Sequence, residues 1–278
     1  MGRRSAGRSE QRARLTLVPG VNASTIWYVD AAEPATVLRD AEPDRDAARA
    51  LVGQLHPGLE VSYLGDEPLS DATRPETGEV LAGWYPGVVV VRTGESLPPV
   101  PSSLVEHWID PTGFRHTYLC SSSPVTKAGS WGAFAHWDRG ELQRSFSATP
   151  AHIVEDLGLP QVWERPFWAG EHPVRPSLDV LPDPQTLPFN PGEFAEAAPR
   201  AWLGDDLDPS SITVSRFAVY PPGQIPESVL RVVAERDIAR DAETARDQAP
   251  ARTQDREVEH EQAPRKPSLL ARLFRRGH

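Results

Sequence analysis

The sequence predicts an α+β protein: a mostly antiparallel sheet with helices packed on one face, crossed by a proline-rich irregular strap. Three observations carry this reading. Short β-branched and aromatic runs recur without the regular strand–helix alternation of a parallel sheet. Residues 131–148 read as a two-stranded hairpin around Asp138, Arg139 and Gly140. Between Pro160 and Pro191, eight prolines fall in 32 positions, a density that neither helix nor sheet tolerates.

The elements follow in order. Ser24–Asp30 is β-branched and aromatic and predicts the first strand. Over 43–55, Ala48, Leu51, Val52 and Leu55 share one helical face, and His56, Pro57 and Gly58 stop the helix. Residues 59–64, 79–84 and 87–92 read as strands, and the continuous run Val88–Val91 predicts burial on both faces. Ser103 and Glu106 have capping-box spacing for a short helix through Ile109, with Leu104, Val105 and Trp108 turned inward. Residues 114–120 predict another strand, followed by the hairpin.

Within 160–191 the aromatics Trp163, Phe167, Trp168 and Phe189 argue against a disordered linker, so the strap is expected to be ordered and irregular. Phe194, Ala197, Ala198, Ala201 and Trp202 restore helical spacing, and Pro199 is expected to kink or split that helix. Residues 212–220 alternate as a final strand. Beyond Gly223 the chain is charged and mixed in sign, a solvated helix or linker. The expected organisation is a basic tail over 1–22, one α+β domain over 23–222, and a charged segment with a basic amphipathic end over 223–278.

Composition bounds the function classes. The 278 residues carry a formal net charge of −10, with +4 in 1–14, −16 in 15–230 and +2 in 231–278. An acidic body repels phosphate backbones, which disfavours nucleic acid as a partner. Cys120 is the single cysteine, so the chain has neither an internal disulfide nor a two-cysteine zinc motif. No apolar run reaches the ~18 residues of a membrane-spanning helix. The basic start lacks an apolar stretch behind it, so cytoplasmic residence is expected.

Four strings stand out: WGAFAHWDRGELQRSFS at 131–147, IVEDLG at 153–158, RPFWAGEHPV at 165–174 and LPFNPGEFAEAA at 187–198. With LVGQLHPG at 51–58 they resemble an uncharacterised actinobacterial protein family, a domain of unknown function with a WAGEHPV-type motif. The resemblance covers most of 24–220 and implies no reaction, ligand or catalytic residue. Asn190 stands where that pattern has histidine.

Signatures of phosphate loops, dinucleotide loops, nucleophile elbows and zinc helices are absent, and no cofactor or metal is expected. Glu171 and His172 form the leading catalytic pair, since a carboxylate beside an imidazole suits acid–base chemistry. His136 and Asp138, with His152 as a further member, are expected to share a pocket with them. The plainer alternative is that Glu171 and His172 bond backbone groups of the strap. Trp163, Phe167 and Trp168 form a candidate binding surface. Six tryptophans, at 27, 84, 131, 137, 163 and 168, offer a stacking cleft or simply a core.

At the C-terminus Leu270, Leu273 and Phe274 stand beside Arg272, Arg275 and Arg276, a short basic amphipathic segment suited to a partner or to weak contact with a membrane surface. The leading function is a non-catalytic binding or interaction domain with an unknown protein or small-molecule partner. The alternatives are a hydrolase-like enzyme using the Glu/His pair and a peripheral membrane protein recruited by its tail.

Overall fold

The computed structural model describes residues 23–71, 75–94, 98–123, 130–174 and 185–247. The expected tails over 1–22 and 265–278, with Leu270, Arg272, Leu273, Phe274, Arg275 and Arg276, lie outside the described residues, as does 175–184 of the strap. The chain divides into two units, Met1–Arg231 and Val232–His278.

The first unit opens with β1 (Ala23–Val29), α1 (Pro34–Asp40), α2 (Arg45–Leu55), β2 (Glu60–Pro68), β3 (Glu79–Tyr85) and β4 (Val88–Thr93). A 3-10 turn at Pro101–Ser103 precedes α3 (Glu106–Ile109), then β5 (His116–Ser122), β6 (Gly132–Asp138), β7 (Glu141–Thr149) and β8 (His152–Gly158). A second 3-10 turn, Val162–Glu164, runs into α4 (Arg165–Trp168), followed by α5 (Pro191–Leu203) and β9 (Thr213–Tyr220). Helix α6 (Glu227–Asp247) begins in the first unit, where Val229 packs with Ala218 and Tyr220. In the second unit its described residues remain helical, with an Arg240–Asp237 ion pair at 3.6 Å. No described helix is long and apolar enough to cross a membrane.

The nine strands among the described residues form one sheet in the order β2-β9-β3-β4-β1-β5-β6-β7-β8. Every pairing is antiparallel. The hairpin turn has φ of 52° at Arg139 and 78° at Gly140. Two successive positive φ values match the twist of the flanking strands. At Gly132 a side chain is impossible, because a Cβ would lie 1.8 Å from the Pro191 carbonyl where α5 begins.

The expectation of helices on one face is corrected. Helix α2 and Trp108 of α3 cover the face of Ile26, Tyr28 and Val91. Helices α1, α4 and α5 cover the opposite face, that of Trp27, Val29 and Phe134. The reason is visible in β1: Ile26, Trp27, Tyr28 and Val29 are consecutive and all buried, so both faces need cover.

Other expectations shift for local reasons. Ser103 Oγ donates to the Val100 carbonyl, so no capping box forms, and Val105 is exposed. The strap is helical over 162–168, where Pro166 occupies the first turn of α4 and costs no internal bond. Strand β8 and helix α1 had no clear sequence signal.

Pro199 does not split α5, which runs unbroken from Pro191 to Leu203. A backbone N–H at 199 would donate to the carbonyl of Ala195. Proline has none, and the buried Cys120 Sγ donates to that carbonyl instead, at 3.0 Å. Burial pushes the thiol pKa up to about 12, so it keeps its proton. In a double-mutant cycle read by urea unfolding, Cys120→Ala should cost ~1–2 kcal/mol in the native background. In a Pro199→Ala background, where an amide is restored, it should cost about 1 kcal/mol less. Additive effects would refute the pairing.

Candidate functional site

Strand alternation places the polar groups of one face in transverse rows. One row runs Arg92, Thr25, Cys120, Phe134 and Phe146. The next runs Val90, Trp27, Tyr118, His136 and Arg144. A third places Val29, His116 and Asp138 side by side. The period-2 geometry of a strand makes these neighbours, however far apart they lie in sequence.

Arg144 and Glu164 fasten the chain 160–168 onto this face, and both are fully buried. Arg144 Nε and Nη2 donate to the two Glu164 oxygens, each at 2.9 Å. Arg144 Nη1 donates to Asp156 Oδ1 at 2.5 Å. Glu164 also accepts from the Gln161 backbone N–H at 2.9 Å and from Trp168 Nε1 at 3.4 Å. Burial alone lowers the Arg144 pKa; the bonds to Glu164 and Asp156 outweigh it, and the value ends above the ordinary one.

Gln161 then governs two histidines. Its Oε1 accepts from Trp163 Nε1 at 2.8 Å and from Trp202 Nε1 at 2.9 Å. An indole nitrogen only donates, so the amide cannot flip. The Gln161 Nε2 therefore faces His136 Nδ1, at 3.3 Å, as donor. His136 must accept there and carry its proton on Nε2. That N–H donates to His116 Nδ1 at 3.2 Å, which leaves the His116 proton on its own Nε2. Two indoles thus fix both tautomers. Tyr118 stacks against both His136 and Trp202, with ring centroids 4.7 and 4.6 Å away.

This network sets what the pair does chemically. Protonating His136 on Nδ1 would set it against the Gln161 N–H. Burial, reinforced by the neighbouring His116, lowers the His136 pKa to about 4. His116 is also lowered, chiefly by burial. Both rings are neutral near pH 7, and His136 Nε2 holds a proton rather than a lone pair for a metal. Among the described residues no group of three or more metal-ligating side chains gathers.

The structure separates the residues singled out from sequence. Glu171 and His172 are exposed, and His172 stacks on Phe167 at 4.0 Å. Neither bonds to His136. Asp138 binds Arg115, at 3.1 and 3.2 Å. His152 is exposed on the outer strand β8, whose free side faces away from the rest of the sheet. The expected shared pocket therefore does not form. The tryptophans also divide: Trp84 and Trp137 belong to the α2 face, and Trp27, Trp163 and Trp168 to the other. Asn190 caps α5, accepting from Gly192 N at 2.9 Å and Glu193 N at 3.4 Å. His116, Gln161 and Trp202 were missed. Only the β5–β6 pairing, which sequence spacing does not reveal, brings His116 to His136.

A cavity of about 940 Å³ lies on the same face. Thr25, Trp27, Arg92 and Cys120 line it from the strands, and Trp163 and Phe167 from the strap segment. Helix α5 contributes Glu193, Glu196, Ala197 and Arg200, and Asp205 follows. Arg92 Nε donates to Thr25 Oγ1 and Nη1 to the Leu69 carbonyl, both at 3.2 Å. Trp27 is 3% exposed, and its Nε1 is buried without a hydrogen-bond partner.

These features define an antiparallel α+β domain with a cavity between α5 and the sheet and a tautomer-locked histidine pair on the same face. The chain belongs to the family of unknown function DUF6928, whose family model matches residues 23–217. No curated protein and no solved structure matches it.

Two predictions test the network. Glu164→Gln leaves the Arg144 charge buried without its full partner and should cost ~3 kcal/mol in urea unfolding. A cost below about 1 kcal/mol would show that the pair does not anchor the strap. His136 titrates at 6.5 when unfolded and about 4 when folded. The unfolded state then binds more protons in this window, so stability is lost as pH falls from 6.5 towards 4. The full shift is worth ~3 kcal/mol, and solvent screening at a partly exposed ring brings it to about 2. His136→Gln should flatten that part of the stability–pH curve; an unchanged curve would refute the assignment.

Proposed function

We propose that this domain binds a small polar molecule in the cavity between α5 and the sheet, and that its histidines do not serve as acid–base catalysts. The carrying observation is the cavity itself: about 940 Å³, with Trp27, Trp163 and Phe167 in its lining beside Thr25, Arg92 and the charged groups of α5. The volume falls at the upper end of the range for small-molecule sites. Aromatic walls with a few polar groups are the usual composition of such sites.

The non-catalytic part of the reading rests on the locked tautomers. A general base near neutral pH needs an available lone pair and a pKa near its working pH. His136 has its lone pair bonded to Gln161 and a pKa near 4. His116 has its own bonded to His136. Among the described residues, Glu171 and His172 are exposed and no water-excluding pocket encloses them.

The test is a thermal-shift screen with polar metabolites, repeated on Ala197→Trp, which fills the cavity from its α5 wall. A ligand at about a hundred times its Kd adds ~2.7 kcal/mol, or about 5–10 °C in a domain of this size. That shift should vanish in Ala197→Trp. A screen without hits, or hits indifferent to the substitution, would overturn the proposal.

A further inference from the structure

We infer that the cavity takes a neutral saccharide of two or three rings, with hydroxyl groups on the carboxylates of α5 and a ring face on Trp163. This rests on the cavity reading above and adds the ligand's chemical class.

The described lining mixes both signs of charge and both hydrogen-bond roles. Glu193 and Glu196 on α5, and Asp205 after it, only accept, whereas Arg200 on the same helix only donates. The strands bring the hydroxyls of Thr25 and Ser122. Several of these groups already have partners. Arg92 is bonded to Thr25 and the Leu69 carbonyl and has the Glu67 carboxylate close by, so its charge is already answered. Ser122 Oγ donates to Glu196 Oε1 at 3.0 Å, which positions that carboxylate and, among the described residues, leaves Oε2 open. Thr25 Oγ1 accepts from Arg92 and keeps its own proton to donate. A hydroxyl both donates and accepts, so one kind of ligand group answers Glu196 and Thr25 alike. Being neutral, it meets no like charge, whatever further groups face the cavity.

Carboxylates suit a ligand with several hydroxyls. Two oxygens offer about four lone-pair sites, and adjacent hydroxyls of a sugar can take both oxygens at once. A hydrogen bond to a charged acceptor is roughly twice as strong as a neutral one. Trp163 supplies the flat apolar surface on which the C–H face of a pyranose packs. Its indole is partly exposed, and its bond to Gln161 Oε1 at 2.8 Å holds the ring in place. Phe167, by contrast, has one face covered by His172, stacked at 4.0 Å. The volume of about 940 Å³ suits a drug-sized ligand, so two or three rings fill it better than one.

Calorimetric titration tests this with glucose, maltose, cellobiose, sucrose, trehalose and maltotriose, and with glucosamine and glucuronic acid as charged counterparts. At least one di- or trisaccharide should bind, about tenfold more tightly than glucose. Glucosamine and glucuronic acid should bind no more tightly than glucose. Glu196→Gln, which keeps the shape of an exposed side chain, should weaken the bound oligosaccharide about fivefold. Ala197→Trp should abolish its binding. Full affinity in Glu196→Gln, equal affinity for glucose, or tighter binding of either charged sugar would overturn the inference. So would silence from every neutral sugar while another compound binds in a way that Ala197→Trp blocks, an outcome that spares the cavity reading. Sugar binding indifferent to Ala197→Trp would overturn both. If no compound of any class binds, the cavity reading falls first and this inference with it.

Discussion

Arg144 and Glu164 lie wholly inside the protein, and two charges at that depth persist only because each satisfies the other. Removing them from water costs several kcal/mol per ion, so geometry has to be good and the remaining polar atoms have to be filled. Here they are filled by Asp156, Leu157 and Ser145 around the guanidinium, and by Gln161 and Trp168 around the carboxylate. Such a pair adds little net stability over an apolar pair of the same shape. Its contribution is specificity of placement: only one position of the 160–168 segment satisfies every bond. Gln161 inherits that position, and through Gln161 so do the two histidines.

The extent to which this was legible in sequence follows the range of the interactions. The hairpin at 132–149 and helix α2 depend on neighbours a few residues away, and alternation and spacing revealed them. The two-sided sheet was readable in principle, since four consecutive buried residues in β1 already require cover on both faces. The histidine pair was not. His116 and His136 come from strands whose pairing depends on the whole sheet order. The exposed Glu171 and His172 drew attention because they are adjacent in sequence, which is a poor guide to adjacency in a strap. The proline count misled for a related reason: at the first turn of a helix proline removes no bond, and Pro166 and Pro191 both sit there.

Cys120 and Pro199 show the same principle in another form. A cysteine on a strand reads as a small buried apolar residue, and a proline inside a helical pattern reads as a break. Each reading is correct for the residue alone. Together they cancel, because the donor missing from one is supplied by the other across the interface between β5 and α5. That interface also forms a wall of the cavity, with Ser122 and Glu196 bonded across it.

Hydrogen-bond direction decides what the polar cluster does. Two imidazole nitrogens 3.2 Å apart suit either a hydrogen bond or a shared metal ion, and distance does not separate the two. The indoles of Trp163 and Trp202 do, since both donate to one oxygen of Gln161 and so turn its nitrogen towards His136. From there each atom has one remaining role: His136 accepts from Gln161 and donates to His116, and His116 accepts. A metal would need a lone pair where a proton stands. A base would need one that is already bonded. What remains is a rigid, neutral aromatic wall of His136, Tyr118 and Trp202. Trp163, which bonds the same Gln161 oxygen, passes from this wall into the lining of the cavity. The order imposed by the buried ion pair therefore reaches the cavity through hydrogen bonds alone. The shape of that cavity wall is fixed by the same bonds that fix the two tautomers.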